Sequence, residues 1–192
     1  MPERAVPRCS FRSVRRTRAF TLVELLVVVA IVGVLSTIGI TLFRQHVSSG
    51  RSIEATSMIQ SIAAAQERWR AESQRYLDVS ASLTAYYPET TPNRTMHAWE
   101  SITHADKDNW RRLNVTNPGA VQAVYTTVAG NAGTDPNQAT NGFTALTLPT
   151  FGTQNEPWYL IHAKADLDGD STFSLYLAGS LNGEVYVKNQ GE

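Results

Sequence analysis

The sequence predicts an α+β chain: one long N-terminal helix, apolar in its first half and amphipathic in its second, packed on a C-terminal antiparallel meander of about four strands. Three observations carry that expectation. Phe20–Phe43 (FTLVELLVVVAIVGVLSTIGITLF) contains no Pro, Lys or Arg, and its single ionisable side chain is Glu24. Further on, Ala55, Ile59, Ile62, Ala65, Trp69 and Tyr76 recur at spacings of three, four or a double turn, the period of one helical face. After Pro157 come three β-rich runs, the last two joined by Asn182-Gly183.

The apolar stretch is long enough to span a bilayer as a helix, since the hydrocarbon core needs about 20 residues. Setting it aside leaves roughly 120 to 150 residues for a soluble body, the size of one domain. The formal net charge of zero hides an asymmetry. Residues 1–19 carry six arginines against Glu3, a charge of +5, and the remainder balances it at −5. A basic flank before an apolar span is held on the cytoplasmic side, which predicts an N-in, C-out topology. Cys9 is the only cysteine and lies in the basic flank, so the exported body is expected to hold together without an internal disulfide.

A cleavable secretory signal is disfavoured, because the apolar core is too long and no A-x-A pattern follows Phe43. A plain signal anchor fits span and flanks, but an ionisable residue inside such a span is by default a functional candidate. That residue stands in the run Arg18-Ala19-Phe20-Thr21-Leu22-Val23-Glu24-Leu25. Here the chain resembles the type IV prepilins, whose basic leader ends in Gly or Ala and is followed by Phe and a Thr-Leu-(Ile or Val)-Glu-Leu opening. The resemblance implies a prepilin peptidase cutting between Ala19 and Phe20, N-methylation of Phe20, and a mature chain of residues 20–192. It also implies a partner for Glu24: the Phe20 amine of a neighbouring subunit, fixing axial stagger in a filament. Ala19 replaces the commoner Gly, and Thr41 stands where many major pilins have Pro, which inclines the reading toward a minor subunit.

No proline occurs from residue 8 to 87, so the helix is expected to continue to about Ser73, roughly 80 Å at 1.5 Å per residue. Residues 20–43 form its membrane or filament-core half and 44–75 its amphipathic half, with 76–192 as the head. Tyr76 to Pro118 reads as an irregular connection with one short helix, capped by Asp106 and presenting Trp110 and Leu113 on one face. Strands are expected at Val121–Ala129, Trp158–Ala165, Thr172–Ala178 and Glu184–Lys188, with Asn182-Gly183 as a two-residue hairpin turn. The loops Asn131–Gly142 and Thr150–Glu156 are where surface specificity is expected.

Few side chains offer chemistry. His97, His104, Asp106 and Asp108 cluster in sequence but match no metal-site spacing, and loop polarity explains them. Asp166, Asp168 and Asp170 alternate in a turn that can offer oxygens to calcium, although Leu177 stands where an EF-hand would have Glu, and a plain Asp/Gly-rich turn explains them as well. Arg68, Arg70 and Arg75 are interleaved with Glu67 and Glu72, so no specific nucleic-acid binding is predicted. Asn93-Arg94-Thr95 and Asn114-Val115-Thr116 fit a glycan acceptor pattern of little weight beside a bacterial-type leader. No nucleophile elbow, P-loop or zinc signature points to an enzyme, and no organic cofactor is called for.

By resemblance the chain is a structural subunit of a type IV pilus, serving adhesion, twitching motility or DNA uptake. Its partners would be other pilin subunits, prepilin peptidase, the inner-membrane assembly platform and, before assembly, the membrane. The implied location is the bacterial inner membrane as precursor, then an extracellular pilus or periplasm-spanning filament. A pseudopilin of a type II secretion system shares the same signal. A reading from another class is a single-pass, membrane-anchored periplasmic binding or sensory domain.

Overall fold

The computed structural model describes residues 20–100, 103–140, 146 and 150–190. The leader, with Cys9 and Ala19, lies outside the described residues, as do Asn141 and Gly142 of the expected surface loop. The chain divides into two units, Met1–Leu42 and Phe43–Glu192. Helix α1 (Leu22–Ser73) contributes to both.

In the first unit, Leu22–Ile40 is apolar and long enough to cross a membrane, and none of it is buried within the molecule. Apolar side chains exposed on every face suit a hydrocarbon solvent or a bundle of like helices. Of the two adjacent hydroxyls in mid-span, Ser36 and Thr37, that of Thr37 is satisfied within the helix: its Oγ1 donates to the Val34 carbonyl at 2.6 Å.

In the second unit the stripe expected from spacing is the buried face of α1. Ala55, Ile59, Ile62 and Ala65 enter one core with Tyr125, Ile161, Ala163 and Tyr176. Trp69 is half-buried against it. Tyr76 is buried too, but it lies beyond the helix, which ends at Ser73 with Gln74 left-handed (φ 62°) and its N–H on the Arg70 carbonyl at 2.8 Å. Tyr76 instead packs edge-on against Tyr159, ring centres 4.7 Å apart.

The expected irregular connection is more ordered than its prolines suggest. It holds β1 (His97–Ala98) and α2 (Lys107–Leu113), and β2 (Ala120–Val121) pairs antiparallel with β1. Asp106 sits at the N-cap of α2, but its side chain makes no capping bond; its N–H goes to His104 Nδ1 at 3.1 Å. What orders the segment is aromatic packing, with Tyr87 against Trp99, Trp110 and His104, and Trp99 against Trp110 and Tyr125, all at 5.1–5.9 Å between ring centres. The indole of Trp99 donates to the Val115 carbonyl at 2.8 Å.

The run expected as one strand at Val121–Ala129 is split. A bend at Gln122–Ala123 separates β2 from β3 (Val124–Gly130), because the Gln122 amide is drawn to the Asp166 carbonyl at 2.6 Å. A short helix α3 (Pro136–Ala139), capped by Asp135, follows in the loop. Then come β4 (Trp158–Ala165), β5 (Ser174–Gly179) and β6 (Val185–Lys188), in the antiparallel order β3-β4-β5-β6. Thr172 and Phe173 stay out of β5, since Thr172 donates twice to the Asp170 carboxylate. The Asn182-Gly183 connection is longer than a two-residue turn, spanning residues 180–184. Of the pair only Gly183 is left-handed (φ 70°), while Asn182 Oδ1 accepts the Glu184 N–H at 3.2 Å.

Alternation along β4 and β5 buries both faces of the sheet. Tyr159, Ile161, Ala163 and Tyr176 meet α1, whereas Trp158, Leu160, Leu175 and Leu177 form a second cluster with Leu83 and Leu146. The arrangement is the α+β pilin-type order of long helix, connection and four-stranded meander.

Gln66 ties these parts together. Wholly buried on α1, its amide accepts from Leu77 N–H at 2.9 Å and donates to the Leu77 carbonyl at 2.8 Å and to Thr127 Oγ1 at 3.1 Å. Gln66→Leu keeps much of the volume and strands those buried groups, so we expect a loss of roughly 3 kcal/mol. A head melting midpoint, followed by near-ultraviolet circular dichroism of the chain in detergent, that does not move would contradict this account.

Candidate functional site

At the start of α1 the backbone N–H groups of the first turn have no partners within the helix. Thr21 is the N-cap and Glu24 the third helical residue, and each serves the other. Glu24 N–H donates to Thr21 Oγ1 at 3.2 Å, while Thr21 N–H and its hydroxyl donate to Glu24 Oε2 at 2.9 and 2.8 Å. This is a reciprocal capping box, and the T-x-x-E spacing was its signal in the sequence, although only Glu24 had been singled out. Its carboxylate is thereby met within its own chain by neutral donors, with Oε1 taking part in neither bond. Among the described residues Glu24 bonds to Thr21 and not to Phe20, whose ring is 80% exposed. The expected partner, a neighbour's free amine, is a group that a single chain joined to its leader does not offer.

The Asp-rich turn lies between β4 and β5. Asp166 is buried, Asp168 and Asp170 are exposed, and one oxygen of each converges within 4.8 Å of the others. Among the described residues no other group of three His, Cys, Asp or Glu side chains converges in this way. Each carboxylate also stabilises the turn: Asp166 accepts from Gly169 N–H at 2.7 Å, Asp168 from Asp170 N–H at 3.2 Å, and Asp170 from Thr172. The Thr172 bonds hold the Asp170 carboxyl below its ordinary pKa. Gly169 is left-handed (φ 84°), and the stem of Arg94 lies where a β-carbon would stand.

The turn is anchored through its backbone, with Arg51 donating to the Leu167 carbonyl and Gln122 Nε2 to the Asp166 carbonyl. The other end of that Gln122 amide, Oε1, is buried beside the turn without a hydrogen-bond partner. Converging carboxylate oxygens of this kind are the ligand type that a hard cation takes.

Other candidates are placed apart. His97 Nε2 lies 3.4 Å from Asn93 Oδ1, and His104 is engaged by Asp106 N–H and the Tyr87 ring. Arg70 pairs with Glu156 at 2.5 Å and also donates to Tyr76 Oη, and Arg68 reaches the Leu113 and Asn114 carbonyls at the end of α2. Those two cations are therefore partly engaged within the head.

Comparison with known proteins bears on the N-terminal geometry. The family described as the prokaryotic N-terminal methylation motif matches residues 14–40, a segment that contains Ala19, Phe20, Thr21 and Glu24. The type IV major pilin protein PilA of Myxococcus xanthus (strain DK1622) is 35% identical over 74 residues, which cover 38% of this chain and 33% of that protein. The match thus spans about a third of the length of that curated relative. No solved structure is matched. With its basic leader, long apolar helix and matched motif, the chain carries an N-terminal methylation signal of the class III type and, over 74 residues, is homologous to a type IV major pilin.

Proposed function

We propose that the chain is a structural subunit of a type IV pilus. The precursor sits in the bacterial inner membrane with its leader inside and its head outside, and prepilin peptidase cuts between Ala19 and Phe20 and methylates the Phe20 amine. The mature subunit then leaves the membrane for a filament of like subunits, driven by an assembly platform. The observation that carries this reading is a carboxylate, Glu24, at the head of a helix whose first half, Leu22–Ile40, has apolar side chains that nothing in the molecule buries. In a bundle of such helices a carboxylate needs an opposite charge, and a neighbour's Phe20 amine is one that processing creates.

Mass spectrometry of sheared extracellular filaments and of inner membranes tests this. An N-methylated Phe20 terminus in filament material is expected, at high abundance for a major pilin and at trace abundance for a minor one. The same terminus confined to a periplasmic filament would indicate a secretion pseudopilin, and an intact chain through Ala19 found only in the membrane would leave an anchored periplasmic domain. Glu24→Ala should leave membrane insertion intact and reduce incorporation at least about a hundredfold, since breaking a buried ion pair costs about 3–5 kcal/mol.

We also propose Asp166, Asp168 and Asp170 as a seat for calcium. Calcium at a hundredfold excess over Kd should stabilise the head by about 2.7 kcal/mol, seen as a rise in Tm of the chain in detergent. The rise should vanish in Asp168→Asn. No rise in the unaltered chain removes the calcium seat without touching the filament reading.

A further inference from the structure

The connection between β5 and β6 is built around one asparagine side chain. Asn182, Gly183 and Glu184 are exposed, and Tyr186 is half-buried, its ring packed against the second core. The Asn182 amide is engaged at both ends. Its Oδ1 accepts the Glu184 N–H at 3.2 Å, and its Nδ2 donates to Tyr186 Oη and lies 3.4 Å from Glu184 Oε2. Tyr186 Oη in turn donates to that carboxylate at 3.0 Å. Gly183 is left-handed (φ 70°), and a β-carbon built on it would meet nothing within 4 Å, so the glycine stands in open space.

We propose that Asn182 is a site of spontaneous deamidation, in which the Gly183 nitrogen closes on the Asn182 side chain and Tyr186 gives a proton to the ammonia that leaves. A bond forms between Gly183 N and Asn182 Cγ, and that nitrogen gives up its proton to solvent hydroxide. The carbonyl electron pair moves onto Oδ1, which the Glu184 N–H already holds, so the developing charge meets a donor in place. Nδ2, no longer conjugated, gains a lone pair that takes the Tyr186 hydroxyl hydrogen. The Cγ–Nδ2 bond then breaks, neutral ammonia departs, and the phenolate recovers a proton from water. Water adds to either carbonyl of the resulting succinimide, leaving aspartate or isoaspartate. One water is consumed and one ammonia released, with no oxidant or reductant.

Two features select this asparagine. Ring closure needs close approach of the next backbone nitrogen, and glycine has no β-carbon to obstruct it. Both reacting groups also belong to one short stretch of chain, so no encounter has to be arranged. The second feature is the pair of contacts with Glu184 and Tyr186, which the Asn-Gly dipeptide alone does not supply. The change runs one way. A carboxylate replaces the amide that bridged Glu184 and Tyr186, so two like charges face each other there, and the isoaspartate form routes the backbone through one more carbon before β6.

Mass spectrometry of the full chain, incubated folded in detergent micelles at neutral to mildly alkaline pH, tests this, with isoaspartate told from aspartate by its fragment ions. Asn182 should convert at least about tenfold faster than Asn93, Asn131 and Asn155, which are also exposed but precede residues bearing a β-carbon. Tyr186→Phe keeps a ring for the second core and removes the proton donor. Conversion at Asn182 should then slow at least about tenfold, less than a positioned proton donor contributes in an enzyme, while the other three asparagines keep their rates. Conversion of Asn182 no faster than theirs, or a rate unchanged or raised in Tyr186→Phe, would each overturn the proposal. The first of these is read on the unaltered chain and decides the matter even if the variant fails to fold.

Discussion

The head is arranged around one buried amide. Gln66 has no exposed surface, and a primary amide removed from water must find partners for its oxygen and its hydrogens. It finds them by reading Leu77 as a strand would, on both N–H and C=O, and by reaching Thr127 on β3. Three pieces distant in the chain are thereby brought to one point: the last turns of α1, the segment that leaves it, and the first strand of the meander. The apolar stripe of α1 supplies burial energy but little orientation, since Ala, Ile and Met side chains pack acceptably at several rotations. The amide supplies the orientation.

Much of this order was legible in the residues, and the failures share a cause. Trp158–Ala165 coincides with β4 because a strand buried on both faces is an unbroken run of bulky and β-branched residues. The α1 stripe coincides as well, apart from Tyr76, whose spacing fits a turn of helix that Gln74 has already ended. What could not be read was order made by partners far away in sequence. Pro and Asn marked residues 76–118 as irregular, yet Tyr87, Trp99 and Trp110 close on one another there. Val121–Ala129 looked continuous until the Asp166 carbonyl drew Gln122 into a bend. The second face of the sheet was likewise invisible, because Leu83 and Leu146 come to it from loops.

The candidate residues divide in the same way. Glu24 was conspicuous as a charge inside an apolar run, but its companion Thr21 is an ordinary residue until the helix start is known. Asp166, Asp168 and Asp170 announce a turn by composition, whereas the side chain that ties that turn to the sheet, Gln122, comes from more than forty positions earlier. A motif names the residues that alternate or repeat. The residue that anchors the motif is chosen by the fold.

The run of residues 78–87 along the outer edge of β3, where Ser80 bonds Thr127, Tyr87 bonds Tyr125 and Asp78 bonds Ala129, has a consequence for how copies of the chain can meet. Strand-to-strand polymers need two open edges on every sheet, one to receive and one to offer. Here β3 is covered, and β6 is the other edge of the four-stranded sheet. Two heads joined through β6 would satisfy each other by a twofold axis and present nothing further, so pairing of that kind stops at two. Unlimited growth in one direction would therefore run through a surface other than the sheet edge, and residues 78–87 keep the alternative, an amyloid-like ladder of meanders, closed at β3.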